Sequence, residues 1–477
     1  MLEKRFTTID SDGEIRSGAC VEMVAASRRE VLKVNLLSTR RQFMAASGAL
    51  LGSGPFVSPH LLTAAAPKKR PRVAAIYTVF TYRSHAHVIL ENFLETYLFN
   101  GQRTDPGVDV VSFYADQMPS GDMSRAVSGK YDIPIFPTIR EALCLGGDEL
   151  AVDAVLSIGE HGNYPRNALG QVEYPRKRFF DEIVGTMKKS QRFVPLFNDK
   201  HLSYQWDAAK QMYDEAKALG IPLLAGSSVP LAQRRPALEL PRNAQVTEAV
   251  SIHGGPIESY DFHGLEVLQS MIEGRRGGES GISRVEFLRG DEVWAAARAG
   301  RWSLELAQAA MAAEYGKPLD SLSQMPGEPK VEPHALLLTY RDGVKATVLK
   351  LGHDSTRWNF ACRLQGEADV RATHFYVGPW ENRNLFKALS HAIQTHFRQA
   401  QSPYPPERTL LVTGVLEAAM QSRARQGEAV PTPHLEFGYA ATDFRQLREM
   451  GESWKIITES TPQPQGVNPL GLPEKGN

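Results

Sequence analysis

Between Pro67 and about Pro230, short apolar runs alternate with stretches whose apolar residues recur at helical spacing, and no other feature limits the fold so strongly. Val73 to Tyr77 reads as a strand. His87 to Phe99 then carries Leu90, Phe93, Leu94, Tyr97 and Leu98 on one helical face. Val108 to Tyr114, Ile133 to Phe136, Val152 to Ile158, Phe193 to Phe197 and Ile221 to Ala225 read as further strands. Helical stretches at Met123 to Lys130, Thr138 to Leu143, Phe179 to Lys188 and Tyr204 to Leu219 separate them. Thr138 with Glu141 three residues on has the spacing of a capping box. Strands separated by helices pair in parallel and are covered on both faces. Ligands of such sheets sit beyond the carboxyl ends of the strands, so the residues following each strand are the ones to inspect.

The second half changes character after Arg234-Arg235-Pro236. Strand-like pieces at Ala249 to Ile252, Val285 to Leu288, Ala335 to Tyr340, Ala346 to Leu351 and Thr373 to Val377 stand beside longer helical stretches. Those helices are expected at Gly264 to Glu273, Leu304 to Tyr315, Asn384 to Gln399 and Pro406 to Gln426. Arg341-Asp342-Gly343 between two apolar runs is a hairpin signal. The expected class is α/β: a Rossmann-like parallel domain over 67–230, then an α+β domain over 231–445 with a mostly antiparallel sheet and helices on one face. A C-terminal tail over 446–477 follows, and its Pro-rich end from Ser460 reads as disordered.

Residues 1–66 read as a leader. Ser38-Thr39-Arg40-Arg41-Gln42-Phe43-Met44, a mildly apolar run to Leu51, helix breakers at Gly52, Gly54 and Pro55, and Thr63-Ala64-Ala65-Ala66 have the order of a cleavable twin-arginine export signal. The implied destination is the periplasm or another exported location, reached through the Tat machinery. With 54 basic and 54 acidic side chains the chain has no net field to attract nucleic acid. Cys20, Cys144 and Cys362 are too few and too scattered for a disulfide framework or a Cys-rich metal site.

Val152-Asp153-Ala154-Val155, Asn198-Asp199-Lys200-His201-Leu202 with Gly220 to Gly226, His263-Gly264-Leu265-Glu266, and Pro405 to Ser422 occur in the order and spacing of four landmarks of one family. On these segments the chain from Pro71 to about Tyr439 resembles the glucose-fructose oxidoreductase and inositol dehydrogenase family (Gfo/Idh/MocA). The resemblance implies NAD(P)-dependent hydride transfer on a sugar or cyclic polyol, and a homo-oligomer built on the second sheet. It makes Lys200 the residue that polarises the reacting oxygen and His263 the general acid/base. The family's aspartate four residues before that histidine is Ser259 here, with Asp261 displaced.

The dinucleotide meets an obstacle in the sequence itself. Glycine normally permits the tight turn after the first strand and the close approach of backbone to pyrophosphate. Here the stretch is Tyr77-Thr78-Val79-Phe80-Thr81-Tyr82-Arg83-Ser84-His85, with no glycine. Either Thr78, Arg83 and Ser84 bind phosphate through side chains, or Arg83 and Ser84 cap and solvate a helix start. Asp116 stands where a ribose-binding carboxylate would lie, or is a turn residue. Glu160 and His161 after the fourth expected strand, His201 after the fifth, and His253, with His85 and His263 at comparable breaks, are candidates for a shared substrate cleft. Three classes stay open: the oxidoreductase; a Zn or Mn enzyme (lyase, hydrolase or isomerase) drawing on neutral imidazoles with Glu160 and Asp199, although no metal motif is assigned; and a cofactor-free carbohydrate-binding relative.

Overall fold

Strand β1 (Arg72–Tyr77) is an inner strand, second from one edge, of the five-stranded sheet that the first half of the chain builds. The computed structural model describes residues 69–468. The leader with its paired arginines, the proposed cleavage point, Cys20 and the last residues of the tail lie outside them. After β1 come α1 (His85–Leu94), the pair β2 (Tyr97–Phe99) and β3 (Gln102–Thr104), β4 (Asp109–Ala115), α2 (Ser124–Tyr131) and α3 (Ile139–Cys144). Then follow β5 (Ala154–Ile158), α4 (Arg176–Lys189), β6 (Leu196–Asp199), α5 (Trp206–Ala218) and β7 (Leu223–Gly226). The sheet order is β4-β1-β5-β6-β7 and every pairing is parallel. Thr138 caps α3 by accepting from the Glu141 N–H at 3.1 Å.

The helix expected to run to Phe99 stops at Leu94, and Tyr97–Phe99 turns back as a hairpin. Asn100 and Gly101 both take positive φ, 47° and 75°, the turn that joins two twisted strands most tightly, so the turn chemistry overrides the helical spacing of Tyr97 and Leu98. Ile133 to Phe136 is reduced to a bridge between Phe113 and Ile135, because Pro134 has no N–H to donate to a neighbouring strand.

The second sheet uses β8 (Gln233–Arg235), β9 (Val246–His253), β10 (Ile282–Arg289), β11 (His334–Tyr340), β12 (Lys345–Lys350), β13 (Trp358–Leu364), β14 (Arg371–Tyr376) and β15 (Val430–Pro431). Its order is β15-β10-β11-β12-β9-β13-β14-β8, antiparallel except where β12 meets β9. Helices α6 (Asp261–Ile272), α7 (Asp291–Arg298), α8 (Leu304–Tyr315), α9 (Asn382–Gln399) and α10 (Pro406–Ala424) complete the chain. Among the described residues no helix is long and apolar enough to cross a membrane.

Helices cover both faces of this sheet, not one. Val348 and Leu338 point into a core with α6 and α10, while Leu349 and Leu351 point into another with α7 and α8. The sheet on which the resemblance places an oligomer contact thus carries helices of this chain on both faces. Helix α9 also departs from the expected boundaries. Leu389, Ala392, Ile393 and Phe397 pack with Tyr77, Ile89 and Phe113 of the first sheet's core, and Arg383 pairs with Glu91 at 2.7 Å. The tail differs as well: Trp380 Nε1 donates to Thr461 O, Arg383 Nη1 to Pro464 O, and Val467 is buried, so its polar backbone is held by α9 and the loop before it up to the last described residues.

Candidate functional site

Where β1, β5, β6 and β7 end, the first sheet faces the loop after β9 and the start of α6 across a cleft of about 450 Å³. His85, Glu160, His161, Lys200, Glu258 and His263 all line it. Five of the 12 non-glycine residues with positive φ among the described residues, Arg83, His161, Lys200, Glu258 and Glu381, lie on its wall. Each left-handed L-residue costs roughly 1–2 kcal/mol, so strain is concentrated where side chains must be aimed.

Glu160 and Lys200 form the charged floor. Lys200 Nζ donates to Glu160 Oε1 at 2.8 Å, and Arg176 pairs with the other carboxylate oxygen. Burial alone would raise the Glu160 carboxyl, but Lys200 and Arg176 outweigh it and hold it well below its ordinary range. Burial opposes the Lys200 ammonium, and Glu160 more than offsets that. His85 Nδ1 lies 2.6 Å from Asp199 Oδ2, and its ring meets His161 at 5.1 Å between centroids. Burial, then His85, push His161 down to about 4. His263 is likewise kept neutral, by burial and then by Lys200, and its Nδ1 lies 2.6 Å from Ser227 Oγ.

Glu258 is the contrasting carboxyl. Burial raises it to about 7, so near neutrality it still carries a proton while Glu160 is ionised. Its backbone, at φ 68°, is held from below: the Glu258 N–H donates to Asp261 Oδ2 at 2.7 Å. Asp261 Oδ1 is met by His253 Nε2 at 3.0 Å and His334 Nε2 at 2.7 Å. Burial would raise Asp261, yet His334 and His253 hold it far below the usual carboxylate range. With an ionised acceptor, both Nε2 atoms carry the hydrogen.

Lys200, His263, Glu160 and His161 are thus brought together, whereas two other substrate candidates are not. His201 does not line the cleft but lies behind it, Nε2 3.2 Å from Arg176 Nη1 and 3.8 Å from Glu258 Oε1, and His253 lies beneath it on Asp261. Glu258, Arg176 and Tyr260 were not singled out for this site. Glu258 follows β9 by a few residues, so the strand-end rule pointed at it, but attention fell on histidines. Tyr260 and Trp358 stack at 5.1 Å and 15° on the cleft wall.

A dinucleotide does not fit the residues expected to hold it. Thr78 is buried, its N–H donating to Ile158 O and its hydroxyl to Glu160 O. Ser84 is the N-cap of α1, accepting from the His87 N–H, as the helix-capping alternative requires. Arg83 reaches the cleft, but its guanidinium pairs with Glu381 at 2.5 Å and donates to Gln463 Oε1. Asp116 accepts from Tyr114 and Tyr164 hydroxyls at 2.7 and 2.6 Å and pairs with Arg178, leaving no ribose slot. The segment after β5 crosses the crevice between β1 and β4: a Cβ on Gly162 would lie 3.2 Å from Gln117 Oε1 and 3.4 Å from a Val79 methyl. This chain's own loop thus fills the space beside Asp116.

The Zn or Mn set named from sequence does not assemble either, since Glu160 is held by Lys200 and Arg176 and Asp199 by His85. Among the described residues, His253, Asp261 and His334 have three ligand atoms within 4.8 Å of one another. Their 2.7 and 3.0 Å separations are those of N–H···O hydrogen bonds, and Asp261 serves there as a clamp.

No family model and no curated protein matches this chain. Among solved structures it is similar to GenD2 from gentamicin A biosynthesis in complex with NAD, at 13% identity and TM-score 0.48, covering 80% of this chain and 99% of that one. It is also similar to myo-inositol 2-dehydrogenase from Lactobacillus plantarum (11%, TM-score 0.45) and a myo-inositol dehydrogenase from Corynebacterium glutamicum (11%, TM-score 0.46), each covering 76% of this chain and 99% of the other. The chain is thus similar at low identity to dehydrogenases of the Gfo/Idh/MocA type.

Proposed function

We propose that this protein is an acid–base enzyme that cleaves a bond to oxygen in a small sugar or cyclic polyol, without a dinucleotide in its Rossmann-like half. The observation that carries this is the gathering of strained, oppositely tuned groups on one cleft: ionised Glu160 with Lys200, neutral His263, and a Glu258 carboxyl poised at about 7. Glu258 gives its proton to the departing oxygen, and His263 takes one from the attacking water or from the carbon being deprotonated. The Lys200 ammonium steadies negative charge developing on the substrate. The Tyr260 and Trp358 wall suits the apolar face of a sugar ring. Hydride transfer to NAD(P) is the competing reading that the fold favours.

The two are separated by incubating the full chain with a panel of sugars, sugar acids and their glycosides, with no nicotinamide added, and following products by mass spectrometry. The expected result is turnover whose kcat/KM falls as pH rises through about 7, and loss of that limb in Glu258→Gln. Product formed only with added NAD(P), or stoichiometric nicotinamide on the purified protein, would overturn the reading.

A further inference from the structure

A second cavity, of about 350 Å³, lies at the other end of α6 from the cleft, roughly 18 Å away by helix rise. It is enclosed by the last turn of α6, residues 239–244 at the approach to β9, and residues 441–448. Five arginines line it, Arg234, Arg242, Arg275, Arg445 and Arg448, against three acids, Glu239, Glu273 and Asp443.

The pairings leave positive charge unanswered. Glu273 is held by Arg408 and by the Tyr439 hydroxyl. Asp443 is paired with Arg445, and Arg275 with Glu279 and Asp342. Arg234 and Arg448 are 9% and 2% exposed, yet share one carboxylate, Glu239, whose side chain is 42% exposed. A carboxylate so open to water compensates two buried guanidinium groups weakly. The Nε atoms of Arg234 and Arg448 are buried and have no hydrogen-bond partner, and Arg242, with no hydrogen bond or ion pair among the described residues, faces only Asp443, which Arg445 already holds. Burial and then the neighbouring Arg448 push Arg234 down to about 9, the direction a shortage of negative charge produces.

We propose that this cavity is a binding site for a tetrahedral oxyanion, the phosphate or sulfate group of a small ester, held by Arg234, Arg448 and Arg242. Guanidinium groups present paired N–H donors that match two oxygens of such a group, and a dianion supplies the charge that Glu239 does not.

The test is calorimetric titration of the full chain with inorganic phosphate and with inorganic sulfate, against sodium chloride of equal ionic strength. Saturable binding at one site with Kd below about 1 mM is expected, weakened at least about tenfold in Arg448→Gln and in Arg242→Glu. Arg242 is exposed, so its variant reports on the site even if the Arg448 variant does not fold. Tighter binding of phosphate identifies a phosphate ester as the ligand class, and tighter binding of sulfate a sulfate ester. No saturable heat up to about 10 mM, equal heat with chloride, or an unchanged Kd in folded Arg242→Glu would overturn the proposal.

Discussion

Replacing Glu266 by Gln should remove a pH dependence of stability that can be sized from the structure. Glu266 lies on α6 one turn beyond His263, buried against the end of β7. Thr409 Oγ1 lies 2.7 Å from its Oε1 and 3.2 Å from Ala225 O. The Thr409 hydroxyl has one hydrogen to share between Glu266 Oε1 and Ala225 O, so it compensates a buried carboxylate only in part. Burial raises the carboxyl from an ordinary 4.5 to about 7, against the opposing charge of Arg408. At about 1.4 kcal/mol per pH decade this corresponds to about 3 kcal/mol. Between about pH 4.5 and 7 the native state keeps a proton that the unfolded chain releases, so its contribution is full at acid pH and lost as pH rises through 7. Urea denaturation of both proteins from pH 5 to 8 measures it. The wild type should lose about 2.5 kcal/mol more than Glu266→Gln across that span, the remainder having been lost below pH 5, and groups common to both cancel in the difference. Parallel curves would show that Glu266 is ionised in the folded protein and refute the reasoning.

Two further outcomes follow from the cleft. Asp261→Asn should cost about 2–3 kcal/mol in denaturant melts, since it removes the charge between His253 and His334. It should also shift the pH limb assigned to Glu258, whose backbone it no longer anchors; an unmoved limb would separate Asp261 from the site. Lys200→Met should abolish turnover with the fold retained, because Arg176 still pairs with Glu160, and a circular-dichroism melt beside the activity assay checks both. Full activity in that variant would remove Lys200 from the chemistry.

The parallel sheet could be read from sequence because Val73 to Tyr77 and Val152 to Ile158 are apolar without alternation, as strands buried on both faces are. Gly343, at φ 89°, closes the β11–β12 hairpin as Arg341-Asp342-Gly343 announced. Strand β13 was missed because Asn359 and Arg363 interrupt its apolar run, although Asn359 is buried and donates to Glu314. Asn100-Gly101 carried its turn signal openly, but the helical spacing of the residues before it was given more weight. The gathering of Glu160, His161, Lys200 and His263 was visible as polar residues after strands. What Glu258 does depends on burial and on Asp261 beneath it, neither of which any local pattern records.

The position of α9 has a consequence for biosynthesis. One flank of the first sheet is closed by Leu389, Ile393 and Phe397, which leave the ribosome some three hundred residues after β1. Until then Tyr77, Ile89 and Phe113 lack that cover, so the amino-terminal half cannot finish its core until α9 has been made. A fragment ending before Asn382 should present an apolar flank to whatever chaperone or neighbour meets it first.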